Sequence, residues 1–158
     1  MVSMNRFLSL AISVIGLIAL VVGVVFIFEG FSKNNLITSR MKVEQVTLAL
    51  DPNNPNQLTT IQNGGQAQKA ADTIATHRRS IAPNYQALLA EGTGKFDPTN
   101  PTDVTYAQAM NLENYLYTAV LAFGVVQIAL AAGAFMILMG IVLGLIGFVL
   151  YRMPVKQS

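Results

Sequence analysis

Apolar and polar positions along this chain fall into blocks rather than alternating. Phe7–Phe28 is a run of 22 residues without a charge, and Asn114–Tyr151 is a second run of 38. Between them lies sequence rich in polar residues, proline and asparagine. As a helix rising 1.5 Å per residue, the first block is roughly 33 Å long, close to the ~30 Å thickness of a bilayer's hydrocarbon core. It predicts an uncleaved transmembrane helix over 7–28. A signal-peptide core is usually about 7–15 residues and ends at small residues. This block is longer and ends in Phe26-Ile27-Phe28-Glu29. The second block would make a helix of roughly 57 Å, too long for one bilayer crossing without large tilt. It predicts a helix that begins outside the membrane. Asn100 supplies an N-cap, Pro101 a first helical residue and Asp103 a negative charge near the positive helix end. The helix is expected from about 101 to 151, with its bilayer part over 118–148. Tyr106, Tyr115 and Tyr117 approach one interface, and Tyr151 with Arg152 marks the other.

The middle block reads as mostly helical. Met41, Val43, Val46, Leu48 and Leu50 suggest a short strand or extended segment around Val43–Leu50. Asp51-Pro52-Asn53-Asn54-Pro55-Asn56 is a turn-rich breaker. Gln66–Arg79 places Ala67, Ala70, Ala71, Ile74 and Ala75 on one side, as an amphipathic helix does. Pro83 is expected to open a shorter helix through Leu88 and Leu89, closed by Gly92. The fold class that follows is mainly α: a two-span transmembrane helical hairpin with a small, mostly helical extracytoplasmic domain over 29–117. The second span is continuous with the long helix starting near Asn100. Short cytoplasmic tails, 1–6 and 149–158, complete the expected organisation.

Composition agrees with a membrane protein. Apolar residues are 53% of the chain and charged residues 11%, less than half the usual charged share of soluble domains. Of 18 charged residues, 15 lie between Glu29 and Glu113. The other three, Arg6, Arg152 and Lys156, are basic and sit in the tails. That bias favours cytoplasmic termini. Lys33, Arg40 and Lys42 near the far end of the first span pull the other way, but long loops translocate largely regardless of charge. The expected location is a membrane, with both termini on its cytoplasmic side. A net charge of +2 gives no reason to invoke nucleic acid. The absence of cysteine removes disulfides, thiolate metal sites and cysteine nucleophiles.

Small residues form one stripe on each span. Ser9, Ser13, Gly16 and Gly23 fall within about an 80° arc, and Ala122, Ala129, Gly133, Gly140, Gly144 and Gly147 within a similar one. Gly140-x-x-x-Gly144 is a formal GxxxG. Such stripes let helix backbones approach in lipid. They either face each other within one hairpin or serve self-association or a partner subunit. Neither span holds an ionisable residue, as proton relays and voltage sensors require. Gln127 is the one strongly polar side chain well inside the second apolar block. It either bonds a partner helix or sits near the interface.

His77, Arg78, Arg79 and Tyr85 form the most reactive-looking cluster and the candidate ligand site. The bland reading is an exposed helix end, with Arg78-Arg79 solvated rather than gripping an anion or lipid headgroup. No metal or cofactor is expected, because a single histidine and no cysteine leave no ligand set of the usual kind. Asp51, Asp97 and Asp103 lack calcium-loop spacing and fit turn and cap chemistry. Ser80 lies near His77 without a carboxylate in that stretch to complete a triad. No catalytic residue is assigned.

Gln66-Ala67-Gln68-Lys69-Ala70-Ala71-Asp72-Thr73-Ile74-Ala75-Thr76-His77, followed by a glycine-rich turn and then Asn114-Tyr115-Leu116-Tyr117-Thr118-Ala119-Val120-Leu121-Ala122-Phe123-Gly124-Val125, resembles a family of small two-pass bacterial membrane proteins of unknown function. The resemblance implies an N-terminal anchor, an extracytoplasmic helix carrying Ile-x-x-His, and a second span. Automated labels for such proteins include aromatic ring-opening dioxygenase. Iron sites of that kind take two histidines and a carboxylate, and His77 is the chain's only histidine. The resemblance therefore implies topology and not that activity. The expected function is a non-enzymatic scaffold or accessory subunit of a membrane complex, with lipid and other membrane subunits or its own copies as partners. The alternatives are an extracytoplasmic ligand- or lipid-binding sensor and a homo-oligomeric channel.

Overall fold

The structure, a computed structural model, describes residues 2–49, 56, 58–92 and 94–153. The order of elements is α1 (Val2–Val43), β1 (Thr47–Ala49), β2 (Leu58–Thr60), α2 (Gly64–Ile81), α3 (Tyr85–Ala90) and α4 (Pro101–Arg152). The fold is mainly helical. Both α1 and α4 are long and apolar enough to cross a membrane. Only 11% of α1's most apolar window and 17% of α4's is buried, which is unlike the core helix of a soluble protein. Residues such as Phe7, Leu17, Val24, Leu121, Ile128, Phe135 and Leu145 are exposed.

The chain divides into two compact units. One combines Met1–Asn34 with Val125–Ser158; the other is Asn35–Gly124. In the first unit, α1 and α4 pack antiparallel. Ser9, Gly16, Gly23 and Gly30 are the buried positions on α1. Gly133, Gly140 and Gly147 are buried on α4, together with Val126. Each series advances by seven residues. A seven-residue period is slightly shorter than two turns of a straight helix, so it keeps one seam in contact only if the helices wind left-handedly.

The second unit corrects several expectations. Helix α1 continues through Val43, so Met41 and Val43 belong to a helix and not to the expected extended segment. Ile37 and Met41 are one turn apart, and both pack in this unit's core. The helix then stops in a Schellman motif. The Val46 amide donates to the Met41 carbonyl at 3.0 Å, and the Gln45 amide to Lys42 at 3.2 Å. Gln45 has φ 50°, the left-handed conformation that glycine usually supplies at this position. Val46 packs against the core beside Met41, the hydrophobic contact that accompanies such a motif. Only Thr47–Ala49 is strand. It pairs antiparallel with Leu58–Thr60, in the register Thr47 to Thr60 and Ala49 to Leu58. Leu50 and the breaker Asp51–Asn56, Asn56 excepted, lie outside the described residues.

Helix α2 starts at Gly64, two residues before the sequence suggested. Asn63 accepts from the Gln66 amide at 2.9 Å, while the Gln66 side chain accepts from the Gln62 amide at 2.8 Å. This exchange satisfies two amides at the helix start, much as a capping box does. Its buried face is Ala67, Ala70, Ala71 and Ala75, as the 3.6-residue period predicts. Helix α3 begins at Tyr85 rather than Pro83. Asn84 is its cap and accepts from the Ala87 amide at 2.9 Å. At its end, Gly94 with φ 78° donates to the Leu89 carbonyl, as Gly92 does also.

Helix α4 starts where the cap pattern placed it. Asn100 accepts from the Thr102 amide through its side chain and from the Val104 amide through its carbonyl. Asp103 accepts from the Asp97 amide at 2.9 Å, tying the preceding loop to the first turn. Leu116, Ala119 and Phe123 share one buried cluster with Met41, Ile61, Ala67, Ala70 and Ala71. The first part of the long apolar run thus forms the core of Asn35–Gly124. An alanine-faced helix needs larger side chains opposite it, and α4 supplies them. A second cluster joins Ala82, Leu88 and Tyr106.

Candidate functional site

The helix seam and a buried ion pair are the two places where the fold concentrates specific contacts. In the hairpin unit, Gly16 faces Gly140 and Gly23 faces Gly133. A Cβ built on Gly16 would lie 2.9 Å from the Gly140 carbonyl oxygen, and one on Gly23 would lie 2.8 Å from that of Gly133. One on Gly140 would come within 2.7 Å of the Gly16 oxygen. Real side chains do not fit at such distances, so the backbones touch because these residues are glycine. A Cβ on Gly147 would lie 3.0 Å from the Ser9 carbonyl. Ser9, 1% exposed, donates its hydroxyl to the Gly147 carbonyl at 2.6 Å. That bond is intrahelical for neither partner, and it fixes the register of the two helices.

Sequence reasoning placed Ser9, Ser13, Gly16, Gly23, Gly133, Gly140 and Gly147 on stripes, and these residues meet one another. It missed Gly30, whose Cβ would lie 2.6 Å from Leu130. The signal was available in the interval of seven from Gly16 to Gly23 to Gly30. Gly144 has a different position from its neighbours: a Cβ there meets nothing within 4 Å. The Gly144 amide nitrogen still lies 2.9 Å from a Cβ built on Gly16, so its backbone borders the contact while its own side-chain position is open. Ala129 is half-buried. The antiparallel register sets Gln127 level with Glu29, at the charged end of the first apolar block, and both are exposed.

In the unit Asn35–Gly124, the proposed ligand cluster separates. His77 and Arg79 are exposed on α2, and Tyr85 is 37% exposed. Arg78, one residue from each, turns inward. Its Nε donates to Glu113 Oε2 at 2.7 Å, and Nη2 lies 3.5 Å from Oε1. Its Nη1 donates to the Tyr106 hydroxyl. The guanidinium carbon is 5.0 Å from the centre of the Tyr106 ring, and Tyr85 stacks obliquely on that ring at 6.4 Å. The Arg78 and Glu113 side chains are 12% and 10% exposed, and Tyr106 is fully buried. The Glu113 bond, opposed by burial and helped by that carboxylate's charge, raises the Arg78 pKa further above its already high value. Arg78 is thus committed to a cross-helix clamp between α2 and α4, not free to grip an external anion. Glu113 and Tyr106 were absent from the sequence-based site. Their spacing of seven residues on α4 was a weak sign that they share a face.

Asp72 accepts from the Tyr117 hydroxyl and from Gln68 Nε2, each at 2.9 Å. The carboxylate's hydrogen bond raises the Tyr117 pKa. Asp97 is lowered because the Thr99 hydroxyl and amide both donate to it. Among the described residues no cluster of three histidine, aspartate or glutamate side chains could hold a metal. Lys156 and Asp51 lie outside the described residues. No protein-family model, curated protein or solved structure matches the chain.

Proposed function

We propose that this chain is a non-enzymatic integral membrane protein, a two-span hairpin that scaffolds a membrane complex or serves it as an accessory subunit. The observation that carries this reading is the glycine-to-glycine seam between two helices whose other faces remain apolar and exposed. Water would drive such faces together; lipid leaves them stable. The antiparallel register supports a bilayer segment of 7–28 against 128–149, flanked by Glu29 and Gln127 on one side and Arg6 and Arg152 on the other. Residues 118–124 then belong to the polar domain, and 125–127 lead into the span. The termini are cytoplasmic and the domain extracytoplasmic, in keeping with the basic tails. The resemblance to small two-pass bacterial membrane proteins supports the same topology.

Because the seam consumes both small-residue stripes inside the hairpin, association with other subunits falls to the outward faces and to the domain. Arg78, Glu113 and Tyr106 satisfy one another, so the domain's strongest polar contacts hold the fold together. Native purification in mild detergent after crosslinking tests the reading. Partner subunits or further copies of the chain are expected to co-purify. A lone monomer at every crosslinker concentration would overturn the assembly role. Protease protection in sealed vesicles checks the orientation, with cleavage in the domain expected only from the extracytoplasmic side.

A further inference from the structure

The glycines of the hairpin unit form two matching series. Gly16, Gly23 and Gly30 on α1 and Gly133, Gly140 and Gly147 on α4 are each seven residues apart. The two series are paired one step out of phase. Gly16 faces Gly140 and Gly23 faces Gly133, while Gly147 faces Ser9 and Gly30 faces Leu130. A slide of α1 by one heptad, roughly 10 Å, would match every glycine: Gly16 with Gly147, Gly23 with Gly140 and Gly30 with Gly133. Gly23 would enter the place of Gly16, where a Cβ lies 2.9 Å from the Gly140 carbonyl oxygen. Gly30 would enter the place of Gly23, where a Cβ lies 2.8 Å from the Gly133 carbonyl oxygen. Only glycine fits either place. Beside them, Leu20 would move from Gly140 onto Gly147, and Ile27 from Gly133 onto Gly140, so leucine and isoleucine meet glycine again. The opposite slide is blocked, because the Cβ of Ser9 would enter the place of Gly16. A second heptad in the allowed direction is blocked in the same way by Ile37, which would enter the place of Gly23.

We propose that the hairpin is a two-register device: α1 and α4 have a second seam one heptad from the observed one, and the core of Asn35–Gly124 is the catch that holds the first. Heptad contacts repeat, so a register is set by whatever does not repeat. Three features do so here. Ser9 donates to the Gly147 carbonyl in the observed register and leaves it on slipping. Asn34, a polar side chain, would replace Ile27 against Gly133. Beyond the seam α1 runs on to Val43, and Ile37 and Met41 pack in the core that Leu116 and Ala119 of α4 complete. A slide of α1 draws both out of that core. Two packings of one sequence that differ in a limited set of contacts make a bistable element. A partner or ligand that binds the loosened domain better than the closed one shifts the population to the slipped seam. The state of the domain is thereby converted into a movement of α1 along α4 of roughly 10 Å.

The proposal rests on the membrane hairpin, and its test separates the two. The full chain is reconstituted in lipid nanodiscs with spin labels at Leu10→Cys and Phe135→Cys, both on exposed faces, and pulsed electron resonance reads their separation. Slipping raises the axial offset of these positions from roughly 17 Å to roughly 27 Å. The parent is expected to show one distance. Met41→Ala combined with Ser9→Ala opens the catch and is expected to add a second distance about 8 Å longer, its share at least about tenfold the parent's. Ile37→Ala opens the same catch where Met41→Ala fails to fold. Gly30→Ala added to either is expected to remove the longer distance. A Cβ there meets the Gly133 backbone in the slipped seam, whereas in the observed one it meets first the movable side chain of Leu130. A single unchanged distance in the opened variants, a broad spread without a second maximum, or a longer distance that survives Gly30→Ala would each overturn the proposal. A parent that does not enter nanodiscs would instead overturn the membrane reading on which it rests.

Discussion

The two units of the chain are each held together in a different way. Between Ser9–Gly30 and Val126–Gly147 the seam is made of backbone against backbone, with the Ser9 hydroxyl donating across it to the Gly147 carbonyl. In Asn35–Gly124 the alanine face of α2 packs on Leu116, Ala119 and Phe123 of α4, with Met41 of α1 in the same cluster, and the Arg78–Glu113 pair ties α2 to α4. The difference follows from the solvent each segment suits. In lipid, apolar side chains gain nothing by meeting, so close packing and small residues must supply the cohesion. In water, burial of apolar surface supplies it, but a face of alanines buries little per residue. The small core is then reinforced by a clamp whose charges satisfy each other.

The contrast can be broken first at the clamp. Arg78→Met leaves Glu113 buried without its partner and is expected to destabilise the domain by about 3–4 kcal/mol. The double variant Arg78→Met with Glu113→Leu should recover much of that loss, because no unpaired charge remains. Chemical unfolding of the reconstituted protein, followed by hydrogen exchange in α2, measures both. Recovery that fails in the double variant would show that the clamp contributes more than charge balance.

At the seam, Gly140→Leu is expected to separate the helices at a cost of about 3 kcal/mol. Since the chain has no cysteine, spin labels at Leu10→Cys and Ile146→Cys, both on exposed faces, can report the separation by pulsed electron resonance. Gly144→Ala should stay within about 0.5 kcal/mol of the parent, because its added Cβ meets nothing. Equal effects at the two glycines would refute the seven-residue seam. Ser9→Ala removes the hydroxyl's bond to the Gly147 carbonyl, and a loss of about 0.6 kcal/mol is expected, read in the same unfolding assay.

The smallest effect concerns pH and touches only the domain. The Tyr117 pKa is raised by its bond to Asp72. A raised folded value means that the bond stabilises the fold below the ordinary tyrosine pKa of about 10 and is lost as pH rises through the folded one. Spectrophotometric titration should find Tyr117 ionising late, and Asp72→Asn should bring it earlier. The hairpin seam, which has no titrating group, should be indifferent over the same range.

Much of this was legible in the sequence for physical reasons that act locally. The uncharged lengths of 7–28 and 114–151 announced two long helices, since composition alone decides whether a helix can be covered by lipid. The Asn100-Pro101-x-Asp103 pattern located the start of α4, because caps act within one turn. The Ala67–Ala75 stripe located the buried face of α2. The end of α1 was not legible. Met41, Val43 and Val46 fit a strand period as well as a helix, and contacts with Ile61, Leu116 and Ala119, distant in sequence, favour the helix. Gln45 in a left-handed conformation gave no sign, since glycine is the usual marker. Arg78 looked like half of an exposed basic pair until Glu113, 35 residues away, turned it inward.

The sequence by itself determined the number of long helices, their apolar lengths and their small-residue stripes, because each depends on one segment and its solvent. Only the tertiary structure decided how the apolar run from 114 to 151 is divided. Its first part cores the polar domain and the rest follows the glycine seam. An apolar side chain fits lipid and protein interior alike, so only its neighbours distinguish the two.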